Sequence, residues 1–149
     1  MKHDDVLELI SAIHLGIRRY LQIGLETQDL TLNQNRLMML LSQRPFLNPS
    51  EAAELLSCDR PTASVIIRNL EKKGWLSRQP DPENRRRVRI VLTDAGRAKT
   101  RQTLAWGRKF KGEFDPTEMF ADSEADPLKQ GLEKINAYIV NRLRELAEE

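Results

Sequence analysis

Between residues 4 and 26 apolar side chains return with helical spacing, at Val6, Leu7, Ile10, Ile13, Leu15, Ile17, Leu21 and Leu25. Asp4 and Asp5 put negative charge where a helix N-terminus favours it, so a first helix is expected from Asp4 to about Glu26. Leu30 to Leu41, with Leu37, Met38, Leu40 and Leu41, predicts another. Pro49 to Leu56 is a short helix that Asn48 can cap, and its Ala52, Ala53, Leu55 and Leu56 are small or apolar enough for close packing. Ser57, Cys58 and Asp59 then make a connection of the length found in a helix-turn-helix corner. After the cap Asp59, Pro61 fits the first helical turn without losing a needed hydrogen bond. Ala63, Ile66, Ile67 and Leu70 follow at i, i+3, i+4 and i+7, the segment runs to Lys73, and Gly74 ends it.

The period then changes from helix to strand. Trp75 to Gln79 reads as a strand and Pro80 to Asn84 as a turn. Val88, Ile90 and Leu92 alternate with Arg87, Arg89 and Val91 as the returning strand. Thr93 caps a helix that runs from Asp94 towards Phe114 and carries Leu104, Trp106 and Phe110. The acidic stretch Asp115 to Asp126, interrupted by Pro116, reads as a loop or short helix. Pro127 is expected to open the last helix, along which Leu128, Leu132, Ile135, Ile139, Leu143 and Leu146 form a row. The predicted fold is mainly α with a small β-wing: a winged helix-turn-helix lobe at residues 30–97 inside a single domain of residues 1–149. The flanking segments, 1–29 and 98–149, hold more apolar helix face than so small a core can cover.

Charge sharpens this picture. The formal net charge is only +2, yet from Arg60 to Lys111 fifteen Lys and Arg face four Asp and Glu, whereas the rest of the chain has nine against eighteen. Such segregation points a positive surface at nucleic acid. The face of the second lobe helix opposite its apolar stripe offers Arg60, Pro61, Thr62, Ser64, Val65, Arg68, Asn69 and Lys72, a mix of donors, acceptors and one methyl-bearing side chain suited to base edges and phosphates. Consecutive Arg85, Arg86 and Arg87 repel one another at the wing tip, a cost that a polyanion relieves.

Other chemistry is poorly represented. There is no Gly-rich phosphate loop, no CxxC pair and no nucleophile with a helix-spaced base, so the chain is not expected to be an enzyme. His3 and His14 are the only histidines, and neither a metal nor a cofactor is expected. Cys58 stands alone and reads as a small, partly buried residue. Without a run of 18 apolar residues, a secretory signal or a second cysteine, the sequence predicts a cytoplasmic protein with no membrane contact.

The stretch LEKKGWLSRQPDPENRRRVRIVLTDAGR, Leu70 to Arg97, resembles the MarR family of winged helix-turn-helix transcriptional regulators. It has that family's leucine-glutamate helix end, glycine, DP-containing wing with arginines, and LT-x-x-G helix start; Leu30 to Leu41 is similar more weakly. Asn84 stands where the family usually has an aspartate, replacing an ion pair at the wing tip by a neutral amide; Ala52, Trp75 and Asn35 also depart from the pattern.

The resemblance implies a homodimer built by the helices at 1–29 and 98–149, with Leu132, Ile135, Ile139 and Leu143 at the interface. It implies binding to a pseudo-palindromic operator in double-stranded DNA, and repression released by a small, often aromatic, effector. In that scheme Thr62, Ser64, Val65 and Arg68 face the major groove, while Arg60, Asn69 and Lys72 hold phosphates. Arg86 matches the wing-tip arginine that reaches the minor groove, helped by Arg85 and Arg87. His14, Arg18, Met38, Trp106 and Phe110 become candidates for the effector pocket. The alternative is a winged-helix protein-interaction module whose basic face meets an acidic protein.

Overall fold

The computed structural model describes residues 3–84 and 86–148. Seven stretches of helix or strand fall nearly where the periodicity puts them: α1 His3–Glu26, α2 Leu32–Ser42, α3 Pro49–Leu56, α4 Arg60–Lys72, β1 Leu76–Pro80, β2 Val88–Leu92 and α5 Asp94–Glu113. A 3-10 helix, Pro116–Met119, and α6, Asp122–Glu148, complete the described chain. Among the described residues no helix is long and apolar enough to cross a membrane.

Caps explain the precision of the lobe's boundaries. Thr31 and Asn48 each form a reciprocal capping box, Thr31 with Gln34 and Asn48 with Glu51, so both the side chain and the backbone of the cap are engaged. Asp59 accepts the Thr62 N–H at 2.7 Å. Each such cap contributes about 1 kcal/mol in typical helices. Ser57, in the left-handed region at φ 54°, ends α3, and Gly74 at φ 73° follows α4.

The last helix corrects the sequence reading. Pro127 does not open α6 but lies inside it, because the Ala121 carbonyl already accepts the Ala125 N–H at 3.0 Å and Glu124 reaches back to the Ala121 N–H at 3.1 Å. Proline is tolerated this close to the start, at the loss of one N–H bond in the second turn.

The chain divides after Phe110 into two compact units. In the first, the apolar stripes of α2 and α4 meet the inner face of the wing. Leu37, Met38, Leu41, Ile67, Leu70 and Ile90 are fully buried at that junction. The strands pair antiparallel from Leu76↔Leu92 to Pro80↔Val88, and Leu47 adds a further bridge to Ile90, tying the α2–α3 loop to the sheet. Thr93 joins the end of the wing to α5: its hydroxyl donates to the Gly74 carbonyl at 2.6 Å and accepts the Gly96 N–H at 3.0 Å. Gly96 lies so close to the Trp75 carbonyl that a Cβ there would sit 2.0 Å from the oxygen. Farther along α5, Phe110 stacks between Tyr20 of α1 and Trp106, with centroids 4.5 and 4.6 Å away. Gly24 supplies the space for both rings, since a Cβ on it would come within 2.7 Å of each.

The second unit, residues 111–149, consists of the 3-10 helix and α6 with the end of α5. Leu128, Leu132, Ile139, Val140, Leu143 and Leu146 on α6 are exposed in the single chain. The same holds for Leu7, Leu9, Ile13, Leu15, Ile17 and Ile23 on α1.

Candidate nucleic-acid interface

The buried stripe of α4 determines what its other face can do. Ala63, Ile66, Ile67 and Leu70 are buried as expected, which turns Arg60, Pro61, Thr62, Val65, Arg68, Asn69 and Lys72 outward, with Ser64 half-buried. Two of these residues do nothing for the helix itself. Val65 is 50 % exposed on a surface where an aliphatic side chain gains no packing, and Arg60 puts a cation in the first turn, the wrong end for the helix dipole. A thymine methyl and a phosphate are the partners that such groups suit.

Helix α4 depends on Asp59 for its start. Hydrogen bonds from the Thr62 side chain and then from its backbone N–H hold the Asp59 carboxyl below its usual value of 3.8. Because the folded value lies under the unfolded one, this contribution is present above 3.8 and is lost as the pH falls through the folded value. Asp81 and Asp115 are shifted in the same direction and add to the effect. Stability is therefore expected to decline as the pH falls below about 4, and Asp59→Asn, which keeps an acceptor but does not titrate, should flatten that limb. Thermal unfolding followed by circular dichroism across pH 3–6 is the check; identical acid limbs in the two proteins would remove Asp59 from the linkage.

The wing tip turns through Asp81 to Arg87. Asp81 N–H donates to the Arg87 carbonyl at 3.0 Å, and the Asp81 carboxylate accepts the Glu83 N–H at 2.9 Å. Asn84 takes over the turn from the aspartate of the family pattern: its side-chain oxygen accepts the Arg86 N–H at 3.1 Å, a bond that needs no charge. Arg86 and Arg87 are exposed; with Val88, Asn48, Pro49 and Ser50 they line a cleft of about 400 Å³ between the wing and the start of α3. Arg85 lies outside the described residues.

Not every basic residue counted from the sequence is available. Lys73 pairs with Asp29 at 3.1 Å, Arg78 with Glu71 at 3.0 Å and Arg89 with Asp81 at 2.8 Å. Lys73 and Lys99 also sit 5.1 and 5.2 Å from the ring centroid of Trp75, which gives the unusual tryptophan a role between two cations. Arg60, Arg68, Lys72, Arg86 and Arg87 make no ion pair among the described residues. Positive charge on α4 and at the wing tip thus stays unpaired among the described residues, as it does at Arg97 and Arg101 of α5.

Alternation placed Arg89 outward with Arg87, yet it is folded in. Its side chain is only 20 % exposed, and the guanidinium carbon lies 3.9 Å from the Phe46 ring centroid. No short-range pattern announces this, because Phe46 belongs to the α2–α3 loop and meets β2 only in the folded chain.

Among the described residues of the single chain, the five effector candidates lie in different surroundings. Met38 is buried in the core of the first unit. Trp106 and Phe110 are stacked on each other, with Tyr20 on the other side of Phe110. Arg18 lines a shallow cleft of about 290 Å³ with Arg19, Gln22, Thr31, Leu32 and Asn33, and His14 is exposed on α1. Of the dimer candidates, Leu132, Ile139 and Leu143 are exposed and Ile135 half-buried, one row along α6. Cys58 is a partly buried side chain against the core.

Comparison with known proteins bears on this geometry. The sequence profile of the MarR family matches residues 30–88, from the approach to α2 to the first residue of β2. The chain is 27% identical over 139 residues to the HTH-type transcriptional regulator PecS of Dickeya dadantii, covering 91% of this chain and 82% of the relative. It is 27% identical over 94 residues to an uncharacterized HTH-type transcriptional regulator, YybA, of Bacillus subtilis, and there the match spans 63% of either length. Among solved structures, a cysteine-to-serine mutant of MarR from Escherichia coli complexed with operator DNA superposes with a TM-score of 0.74 at 26% identity, covering 88% of this chain and 93% of that one.

Proposed function

We propose, from the match of residues 30–88 to the MarR family, that the chain is a regulator of that kind, controlling transcription by binding operator DNA as a homodimer. The observation that carries this reading is the outward face of α4, where Thr62, Val65 and Arg68 stand exposed on a helix whose opposite side is fixed in the core. In the proposal α4 enters the major groove, with Ser64 beside those three, while Arg60, Asn69 and Lys72 hold phosphates. Arg86 enters the minor groove and Arg85 and Arg87 neutralise backbone beside it. The operator-bound relative supports this placement by its shared fold. Two such faces about a two-fold axis read half-sites about one helical turn apart, which gives a small lobe useful affinity.

The finer reading is repression released by a small aromatic effector. Such a ligand lowers DNA affinity only if it binds better to one spacing of the two recognition helices, so operator DNA must weaken its binding in return. The lobe 30–97 serves DNA in this scheme, and residues 1–29 and 98–149 serve the dimer.

Selection of bound duplexes from a random pool, followed by salt titration, tests the function. Binding to the selected duplex should fall steeply with salt and stay well above binding to random DNA; equal binding to every duplex would leave only a basic surface for an acidic protein partner. Within that assay Arg86→Ala is expected to weaken operator binding by roughly 1–3 kcal/mol and lower the salt slope by about one. Arg68→Ala should lose discrimination more than overall affinity, as expected of a base contact. Equal weakening on operator and random DNA would make Arg68 a phosphate contact.

A further inference from the structure

We propose that Arg89, together with Asp81 and Phe46, is a positioning group that aims the wing tip, and that Arg89 does not itself contact DNA. The inference rests on the DNA-binding reading for its purpose, although the geometry belongs to the free protein. Arg89 is a wing arginine whose charge is already used, as is that of Arg78, but here within the wing itself: its Nη2 lies 2.8 Å from Asp81 Oδ1, and its flat cation covers the Phe46 ring at 3.9 Å. Both partners of the ion pair are largely covered, at 20% and 13% side-chain exposure, so solvent and salt screen it less than a surface pair.

The three residues join parts that would otherwise move separately. Asp81 begins the tip turn: it accepts the Glu83 N–H and its own N–H holds the Arg87 carbonyl. Arg89 belongs to β2, opposite Gln79. Phe46 precedes Leu47, whose N–H and carbonyl both bond Ile90, at 3.1 and 2.7 Å, and Asn48, which caps α3. A hinge of the tip about the β1–β2 hairpin therefore has to break the ion pair or drag the loop that starts α3. Only arginine suits the central place, because a planar guanidinium can lie on a ring and grip a carboxylate at the same time, whereas an ammonium cannot do both. With the tip so held, the distance between Arg86 and α4 is set before DNA arrives.

Asp81→Asn separates this role from plain electrostatics, since the two predict opposite signs. Near a polyanion, loss of a negative charge should strengthen binding to every duplex alike. A mis-aimed tip should instead weaken operator binding by about tenfold while random-duplex binding holds or tightens. Phe46→Leu, which changes no charge, should give the same loss of preference, and Arg89→Lys should not restore it.

The companion measurement needs no DNA. Hydrogen exchange of the Glu83, Arg86 and Arg87 amides in the free protein should quicken in Asp81→Asn, with the thermal midpoint of the core held as a control. Unchanged tip exchange, or a variant that binds operator as well as the parent, overturns the proposal. If tip exchange quickens but the parent shows no duplex preference, the wing latch stands and the DNA-binding reading falls.

Discussion

Ile139→Glu is expected to yield a protein that sediments as a monomer and has lost most of its operator affinity, with α4 and the wing untouched. Leu132, Ile139 and Leu143 lie exposed in one row on α6, flanked by half-buried Ile135. Such a row facing water marks a surface that is covered in use. In the proposed dimer a carboxylate at its centre has no cation to meet, and burying it costs several kcal/mol. Pairing of half-sites then fails, and an avidity of the order of 10²–10⁴ goes with it. Sedimentation beside an operator titration checks both halves. A variant that stays dimeric with full affinity would move the interface away from this face, and a parent that is monomeric at micromolar concentration would remove it.

Gly96→Ala should strike the fold itself. The added methyl group would lie 2.0 Å from the Trp75 oxygen, 2.9 Å from its carbon and 3.1 Å from a Leu92 methyl. Two of those three atoms are backbone, and the Trp75 carbonyl already accepts the Thr93 N–H at 3.1 Å, so it cannot turn aside without opening the junction of wing and α5. A loss of about 3 kcal/mol or more is expected, beyond ordinary overpacking. For a chain of this length that corresponds to a melting point lower by roughly 6–12 °C. An unchanged melting point would mean that α5 can start elsewhere, and Gly107→Ala, which meets nothing within 4 Å, is the control.

These two predictions draw on different sources. The glycine of the LT-x-x-G element is visible in the sequence, and so are the stripe of α4, the caps Asn48, Asp59 and Thr93 and the strand alternation, because each depends on neighbours a few residues away. What the sequence does not show are the pairings between distant segments. Lys73 reaches back to Asp29 across three helices, through an ion pair and a hydrogen bond to the Asp29 carbonyl, and so drops out of the free positive charge. Arg89 meets Phe46 and Asp81 and leaves the group of wing arginines. Pro127 misled for a related reason. Proline is favoured in a first turn, but the start of α6 was already set by Ala121 and Glu124. The spacing of the aromatic and Met candidates for an effector pocket suits a ligand box or a core equally; Met38 lies in the core of the single chain and Trp106 packs against it.

The seat that Gly24 provides for Trp106 and Phe110 also governs when the chain can finish folding. At ~5–20 residues per second, Phe110 is made roughly 4–17 s after Gly24. Until then the aromatic clasp of α1 does not exist, although the fully buried members of the core, Leu25 to Leu92, all precede α5, from which the partly buried Trp106 is added afterwards. The lobe can therefore condense first around those residues, Leu25 at the end of α1 included, with the earlier turns of α1 not yet clasped. Leu7, Leu9, Ile13, Leu15, Ile17 and Ile23 stay exposed in the finished single chain, so a chaperone that binds apolar helices keeps its opportunity at the amino end until the proposed partner copy covers them.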